Sequence, residues 1–268
     1  MKRIFVKGVL AVMISGLAGT GTAAVIKWDT ETGSSSTSRS CTSGVGNNCT
    51  FTKGGEVLKA TAYATNNDSG SGDFNKATIN VYDGGIGVKN ASDSNETSSP
   101  NHSIDNYGKD DVVVFQFASS GFDPESFMIG WKDGNNGDTD VRAWIGGDSL
   151  AAGYDFTGVG FSDLASLGFT LFTFNNVAID TAKNFNTALT GQYLIFAPAL
   201  YNTGGADRNY DYFKLSQIAA QYVGPPPQQP DNPVSEPGTA ALLGIAFVGF
   251  WANRRRKSNK GHVLPLFL

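Results

Sequence analysis

The chain has 268 residues, of which 33 are glycine, 16% are charged and 12% are aromatic. Aromatics at that level, with clustered Val, Ile and Phe, exclude a disordered polymer, while length alone allows one large domain or two small ones. The net charge of −4 hides a segregation: all 24 acidic residues lie between Asp29 and Glu236, and only 12 of the 20 basic residues lie between the basic clusters at the two ends. That interval repels nucleic acid and anionic lipid and attracts cations.

The N-terminus reads as a secretory signal peptide over residues 1–24. Lys2, Arg3 and Lys7 form a positive start, residues 8–17 a short apolar run, and Thr22-Ala23-Ala24 a small-residue cleavage site. A retained membrane anchor is the competing reading, and about ten apolar residues are too few to span a bilayer. The mature chain is expected to begin at Val25. Cys41 and Cys49, the only cysteines, lie close together in a Gly/Ser/Asn stretch. In an oxidising compartment such neighbours close a small disulfide loop. A metal pair would need further Cys or His nearby, and none is present.

From residue 25 to residue 223, short β-branched and aromatic runs alternate with turn residues. Strands are predicted over 56–65, 77–82, 111–117, 126–131, 139–145, 168–174, 192–200 and 212–222. Val141, Ala143 and Ile145 alternate with Arg142 and Trp144, which predicts one buried and one wet face. The pattern predicts an all-β ectodomain, an antiparallel sandwich of jelly-roll type. Residues 34–48 and 66–73 are predicted as polar surface loops.

The ligand-rich stretch is D-G-N-N-G-D-T-D at 133–140. Asp133, Asn135, Asp138 and Asp140 offer hard oxygens on a glycine-containing loop, as Ca2+ requires. The spacing is not that of an EF-hand, and a solvated hairpin turn uses the same residues for backbone reasons. Asp105, Asp110 and Asp111 form a second acidic cluster. Trp131, Trp144 and Tyr154 flank the loop and are candidates for a sugar-stacking platform, although strand aromatics also fill cores.

Five Asn-X-Ser/Thr sequons, at Asn48, Asn67, Asn90, Asn95 and Asn101, match a glycosylation pattern that such a composition also produces by chance. His102 and His262 are the only histidines, and His102 is expected in solvent. With no G-x-S-x-G or H-E-x-x-H motif, the chain is not expected to be an enzyme. Glycoside hydrolysis needs only two carboxylates, and the sequence singles out no pair.

A proline-rich linker over 224–237 favours an extended spacer. Residues 238–252 are then apolar without amphipathic period, enough for a helix of roughly 22 Å. A short transmembrane helix is expected over 238–253, pinned by Arg254, Arg255 and Arg256 in a cytoplasmic tail over 254–268. A buried core helix is the alternative, but it leaves the basic cluster beside a linker that cannot bury it.

The Glu-Pro pair, the short Gly/Ala/Leu helix and the arginine cluster together resemble the PEP-CTERM sorting signal. The likeness covers residues 234–257, with Ser235 where the first proline is usual and Glu236 and Pro237 at the next two motif positions. Residues 258–268 run past the point where that family normally stops. More diffusely, residues 104–156 and D-Y-F-K-L at 211–215 are similar to ectodomains of exosortase-dependent surface proteins.

The resemblance implies processing by exosortase near the sorting motif. It also implies delivery to the cell surface or extracellular matrix and a structural or adhesive role in a bacterial envelope or biofilm. Exopolysaccharide or envelope glycans, the membrane through the C-terminal helix, and no nucleic acid are the partners expected. A carbohydrate-binding module on the same route is the alternative.

Overall fold

A computed structural model describes residues 24–68, 72–90, 96, 99–100, 102–134, 139–200 and 210–224. The sorting residues Ser235, Glu236 and Pro237, the helix expected over 238–253 and Arg254, Arg255 and Arg256 lie outside them, as do residues 1–23. Among the described residues no helix is long and apolar enough to cross a membrane.

The chain is all-β. Its strands are β1 (Val25–Asp29), β2 (Ser38–Cys41), β3 (Asn48–Lys53), β4 (Glu56–Thr65), β5 (Phe74–Lys76), β6 (Thr78–Tyr82), β7 (Gly85–Lys89) and β8 (Ile104–Asp105). They continue as β9 (Asp111–Phe117), β10 (Phe122–Lys132), β11 (Val141–Gly146), β12 (Thr170–Phe174), β13 (Lys183–Asn184), β14 (Tyr193–Pro198) and β15 (Tyr212–Tyr222). One sheet runs β13-β10-β15-β7-β6, with β1 and β8 also on β15. The other runs β12-β11-β14-β9-β4-β3-β2, with β5 on β4. The strand ladders are antiparallel, and from β9 onward the chain passes repeatedly from one sheet to the other.

The two sheets form a sandwich because their inward faces carry the large apolar residues. Trp28, Phe51, Leu58, Phe115, Phe117, Phe127, Phe196 and Phe213 are all fully buried in one cluster. Strand β15 organises the first sheet. One edge pairs with β10 along its length, and the other is shared by β8, β7 and β1 in turn. At the β7 junction the main chains approach so closely that a Cβ on Gly85 would lie 2.0 Å from the Leu215 carbonyl oxygen. Gly85 also has φ +114, which side chains rarely adopt.

The expectation of a wet face on β11 is corrected: all six of its residues are buried. A third layer, formed by residues 147–169 with a 3-10 turn at Phe161–Asp163, covers the outward face of the second sheet. There Val112, Val114, Trp144, Tyr193 and Ile195 pack against Phe74, Phe156, Val159, Leu164 and Phe169. An uncovered apolar face of this kind would be an aggregation hazard.

Residues 34–48, expected to be loop, contain β2 and lead into β3. They are largely exposed as expected, but Ser38–Cys41 is hydrogen-bonded as an edge strand. Cys41 and Cys49 face one another across that ladder and form the disulfide. Strands β1, β2, β3 and β7, and the short β5, β8 and β13, were not among the predicted elements.

Candidate functional site

Alternation along β3, β4 and β9 sends Phe51, Leu58 and Phe115 inward and Asn48, Lys59, Thr61 and Gln116 outward. The third layer covers the part of this face over β11 and β14, and a groove of about 280 Å³ remains beside it. Its floor is Lys59, Thr61, Tyr63, Val114, Gln116 and Tyr193, and its walls include Asn48, Lys76, Gly153, Tyr154 and Asp155.

Two phenols fix the wall to the floor. The Tyr193 hydroxyl donates to the Ala151 carbonyl at 2.6 Å and accepts from the Tyr154 N–H at 3.0 Å. The Tyr63 hydroxyl accepts from the Phe156 N–H at 3.3 Å, and Gln116 Oε1 accepts from the Gly153 N–H at 3.2 Å. Burial pushes the Tyr63 phenol up to about 12 and raises that of Tyr193, so both remain neutral donors. At the rim, Lys76 Nζ lies 2.7 Å from Asp155 Oδ2. That contact, with hydrogen bonds from Thr157, holds the Asp155 carboxyl down to about 2. The groove therefore presents neutral hydroxyls, amides and an internally balanced ion pair, with one additional cation at Lys59. Such a lining suits a neutral, hydroxyl-rich ligand whose donors and acceptors alternate.

Of the three aromatic candidates, only Tyr154 is in the groove. Trp144 is 4% exposed and stacks on Phe161 at 5.3 Å beneath the Arg142 guanidinium. It fills the interface with the third layer. Trp131 belongs to the other sheet, where the Lys214 ammonium sits 4.5 Å from its ring. The structure does not bring the three together. His102, expected in solvent, packs on Tyr82 at 4.6 Å and meets Lys214 Nζ at 3.1 Å. Lys59, Thr61, Lys76, Gln116 and Tyr193 were missed. Their signal was present for two strands, as polar residues at alternate positions in β4 and the single Gln116 inside V-V-V-F-Q-F.

For the acidic stretch, Asn135 and Asp138 lie outside the described residues. Asp140 is buried: its carboxylate accepts from the Asn176 N–H at 2.8 Å, and its own N–H donates to Asp211 Oδ1 at 2.7 Å. Asp133 is half-buried at the end of β10.

The second acidic cluster lies at one end of the sandwich, where Glu96, Asp105, Asp110, Asp111 and Asp211 are all buried. On β9, Val113, Phe115 and Phe117 face the inter-sheet core, so Asp111 shares that side and Asp110 takes the opposite one. Asp110 stands 3.6 Å from Arg142, which donates through Nε to the Pro198 carbonyl at 2.7 Å. Burial pushes the Asp110 carboxyl up to about 7 despite the guanidinium and lowers Arg142 to about 10. Burial also raises Asp111, and Asp105, Glu96 and Asp110 raise it further. Among the described residues, no three acidic, His or Cys side chains already stand as a metal-ligand set.

Comparison with protein-family models, with curated proteins and with solved structures finds no match.

Proposed function

We propose that the chain is an exported cell-surface or matrix protein, delivered by the PEP-CTERM route, whose sandwich body has a structural or adhesive role in a bacterial envelope. The observation that carries this reading is the placement of a disulfide-bonded β-sandwich between two address segments. The body's first strand starts at Val25, directly after the small-residue site Thr22-Ala23-Ala24. Its last strand ends at Tyr222, directly before the proline-rich linker. The Cys41–Cys49 bond suits an oxidising compartment. The strand orders β9-β14-β11-β12 in one sheet and β15-β10-β13 in the other support reading the body as a jelly roll.

The test is fractionation of producing cells with the full chain and with a chain lacking residues 236–257. The full chain is expected at the surface or in the matrix with Cys41 and Cys49 oxidised, and the truncated chain elsewhere. Identical locations, or free thiols in a cytosolic precursor, would overturn the proposal.

The groove favours a second reading, in which the adhesive partner is a glycan. Its neutral hydroxyl and amide lining and half-exposed Tyr154 match the needs of a polyol. A glycan array with purified protein is expected to show binding that Tyr154→Ala and Gln116→Ala weaken at least tenfold. No glycan signal removes this reading and leaves the first intact.

A further inference from the structure

We infer that β12 is an interaction edge that pairs antiparallel with β12 of a second copy of this chain, joining two eight-stranded sheets into one. β12 ends the second sheet, beyond β11. Its open main-chain groups follow from the ladder. Val141 of β11 stands opposite Pro198 of β14, and proline has no N–H to exchange. Val141 therefore turns its N–H and C=O to β12, where it meets Phe174. Alternation then bonds Thr170, Phe172 and Phe174 to β11 and leaves the N–H and C=O of Leu171 and Thr173 on the outer side. Among the described residues no main-chain partner takes those groups.

Sheets normally blunt their edges with charge, shortness or a covering group, and the other three end strands are blunted in these ways. β13 is two residues long and carries Lys183. β2 is four residues long, exposed throughout, and carries Arg39. At β6 the Asn47 side-chain amide occupies the edge: it donates to the Ile79 carbonyl at 2.9 Å and accepts from the Ile79 N–H at 2.8 Å. β12 has none of these devices. Its five residues, T-L-F-T-F, are β-branched, aromatic or leucine, its register with β11 is unbroken, and Leu171 is 50% exposed.

Charge and symmetry select the second copy as the occupant. The region from Asp29 to Glu236 is acidic overall, so two copies repel one another over most of their surface. Residues 164–179 carry no charge, and β12 lies in the middle of them, so that repulsion is weakest there. Phe172 is the central residue of β12. An antiparallel pair that matches all five residues therefore places Phe172 opposite its own copy, on a twofold axis. Leu171 then meets Thr173 of the second copy, and Thr173 meets Leu171. These are the residues with open groups, so each such pair exchanges two N–H···O=C bonds. The Phe172 pair is of the kind without hydrogen bonds, where side chains come closest and aromatic contacts add cross-strand stability. Each Phe172 ring is already steadied by Phe185 at 5.6 Å. The interface depends on neither the export route nor the groove.

The experiment is disulfide trapping on the full chain purified in detergent, with Leu171→Cys, Thr173→Cys and an equal mixture of the two under mild oxidation. The native cysteines are already joined. Both new positions are exposed, so neither substitution touches the core, and a maleimide label confirms access to each thiol. In the inferred register, Leu171 of one copy and Thr173 of the other stand about 5.5 Å apart between Cα atoms, within disulfide reach. Each residue lies about 7–8 Å from its own counterpart, beyond easy reach. The mixture is expected to give about five times the linked dimer that either variant gives alone. Association through any other part of the chain would not distinguish the mixture from the single variants. A mixture that yields no linked dimer, or no more than the single variants yield, overturns the inference. In cells producing both variants, linkage to a different protein instead of between copies overturns it as well.

Discussion

Replacing Arg142 with Met tests how the outward face of the second sheet is held. Arg142 is 8% exposed and makes three kinds of contact: the Nε bond to Pro198, the 3.6 Å approach to Asp110, and ring contacts at 4.3 Å to Phe161 and 5.1 Å to Trp144. Breaking a buried ion pair by removing one partner costs about 3–5 kcal/mol. The loss of the bond to the Pro198 carbonyl adds about 1 kcal/mol, and the cation–π contacts about another 1. The pair itself is not hydrogen-bonded, and burial shifts both partners toward neutrality. The pair's own share therefore falls below that range, to about 1–2 kcal/mol, and Arg142→Met is expected to cost about 3–4 kcal/mol in total.

Met fills much of the volume, so most of that loss is electrostatic. Adding Asp110→Asn to Arg142→Met should then recover about 1–2 kcal/mol. Urea unfolding in EDTA, followed by tryptophan fluorescence, would show the single variant's midpoint lowered by about 1–2 M and the double variant's partly restored. A midpoint for Arg142→Met within experimental error of the wild type, or a double variant weaker than the single one, would refute the reasoning.

Phe156→Ala is expected to cost about 3–5 kcal/mol, because this fully buried ring meets Tyr63, Tyr154, Phe169 and Tyr193 at 5.0–6.1 Å. Hydrogen exchange should then accelerate first in residues 150–167, while amides of β9 and β15 stay protected. Gly85→Ala is expected to cost about 2–4 kcal/mol, since its methyl group would strike the Leu215 carbonyl; guanidinium unfolding measures it. Asp29 supplies a pH dependence. Burial opposes its charged form, but hydrogen bonds from Ser36, Gln217 and Ser34 and the nearby Lys53 outweigh it and lower the carboxyl. Its stabilisation is thus present above the ordinary carboxylate pKa and is lost as pH falls through the lowered value. Between pH 5 and pH 2 the unfolding midpoint should fall less in Asp29→Asn than in the wild type.

The sheets were legible in the sequence where a strand carries a long apolar or alternating run. Residues 56–65, 111–117 and 212–222 were predicted with the bounds of β4, β9 and β15, since β-branched and aromatic residues in such runs have few other uses. Strand β1 was illegible because Val25–Asp29 is short and leaves only Trp28 fully buried, and β2 because all four residues are exposed. Their strand character comes from ladders to β15 and β3, which only the folded chain supplies. Trp144 misled for a related reason: alternation with Val141 and Ile145 locates it on the other face, but says nothing of what covers that face. Of the groove, Tyr154 was legible as an aromatic flanking the acidic stretch, whereas Lys59, Lys76 and Tyr193 converge from three separate strands.

The covering layer also decides how binding and stability can be separated in this molecule. The groove's wall is the margin of a hydrophobic plug, so Tyr63 and Tyr193 serve both the lining and the attachment of residues 151–156. Substituting either one loosens the plug, and lost binding would then carry no information about contact with a ligand. Lys59 is exposed and Gln116 half-exposed, on strands whose inward residues Leu58, Phe115 and Phe117 remain untouched. Surface substitutions of that kind change stability by about 0.5 kcal/mol or less. A tenfold loss of affinity corresponds to about 1.4 kcal/mol. Lys59→Ala, and Gln116→Ala once its bond to the Gly153 N–H is allowed for, can therefore reveal a ligand contact that the tyrosines would confound.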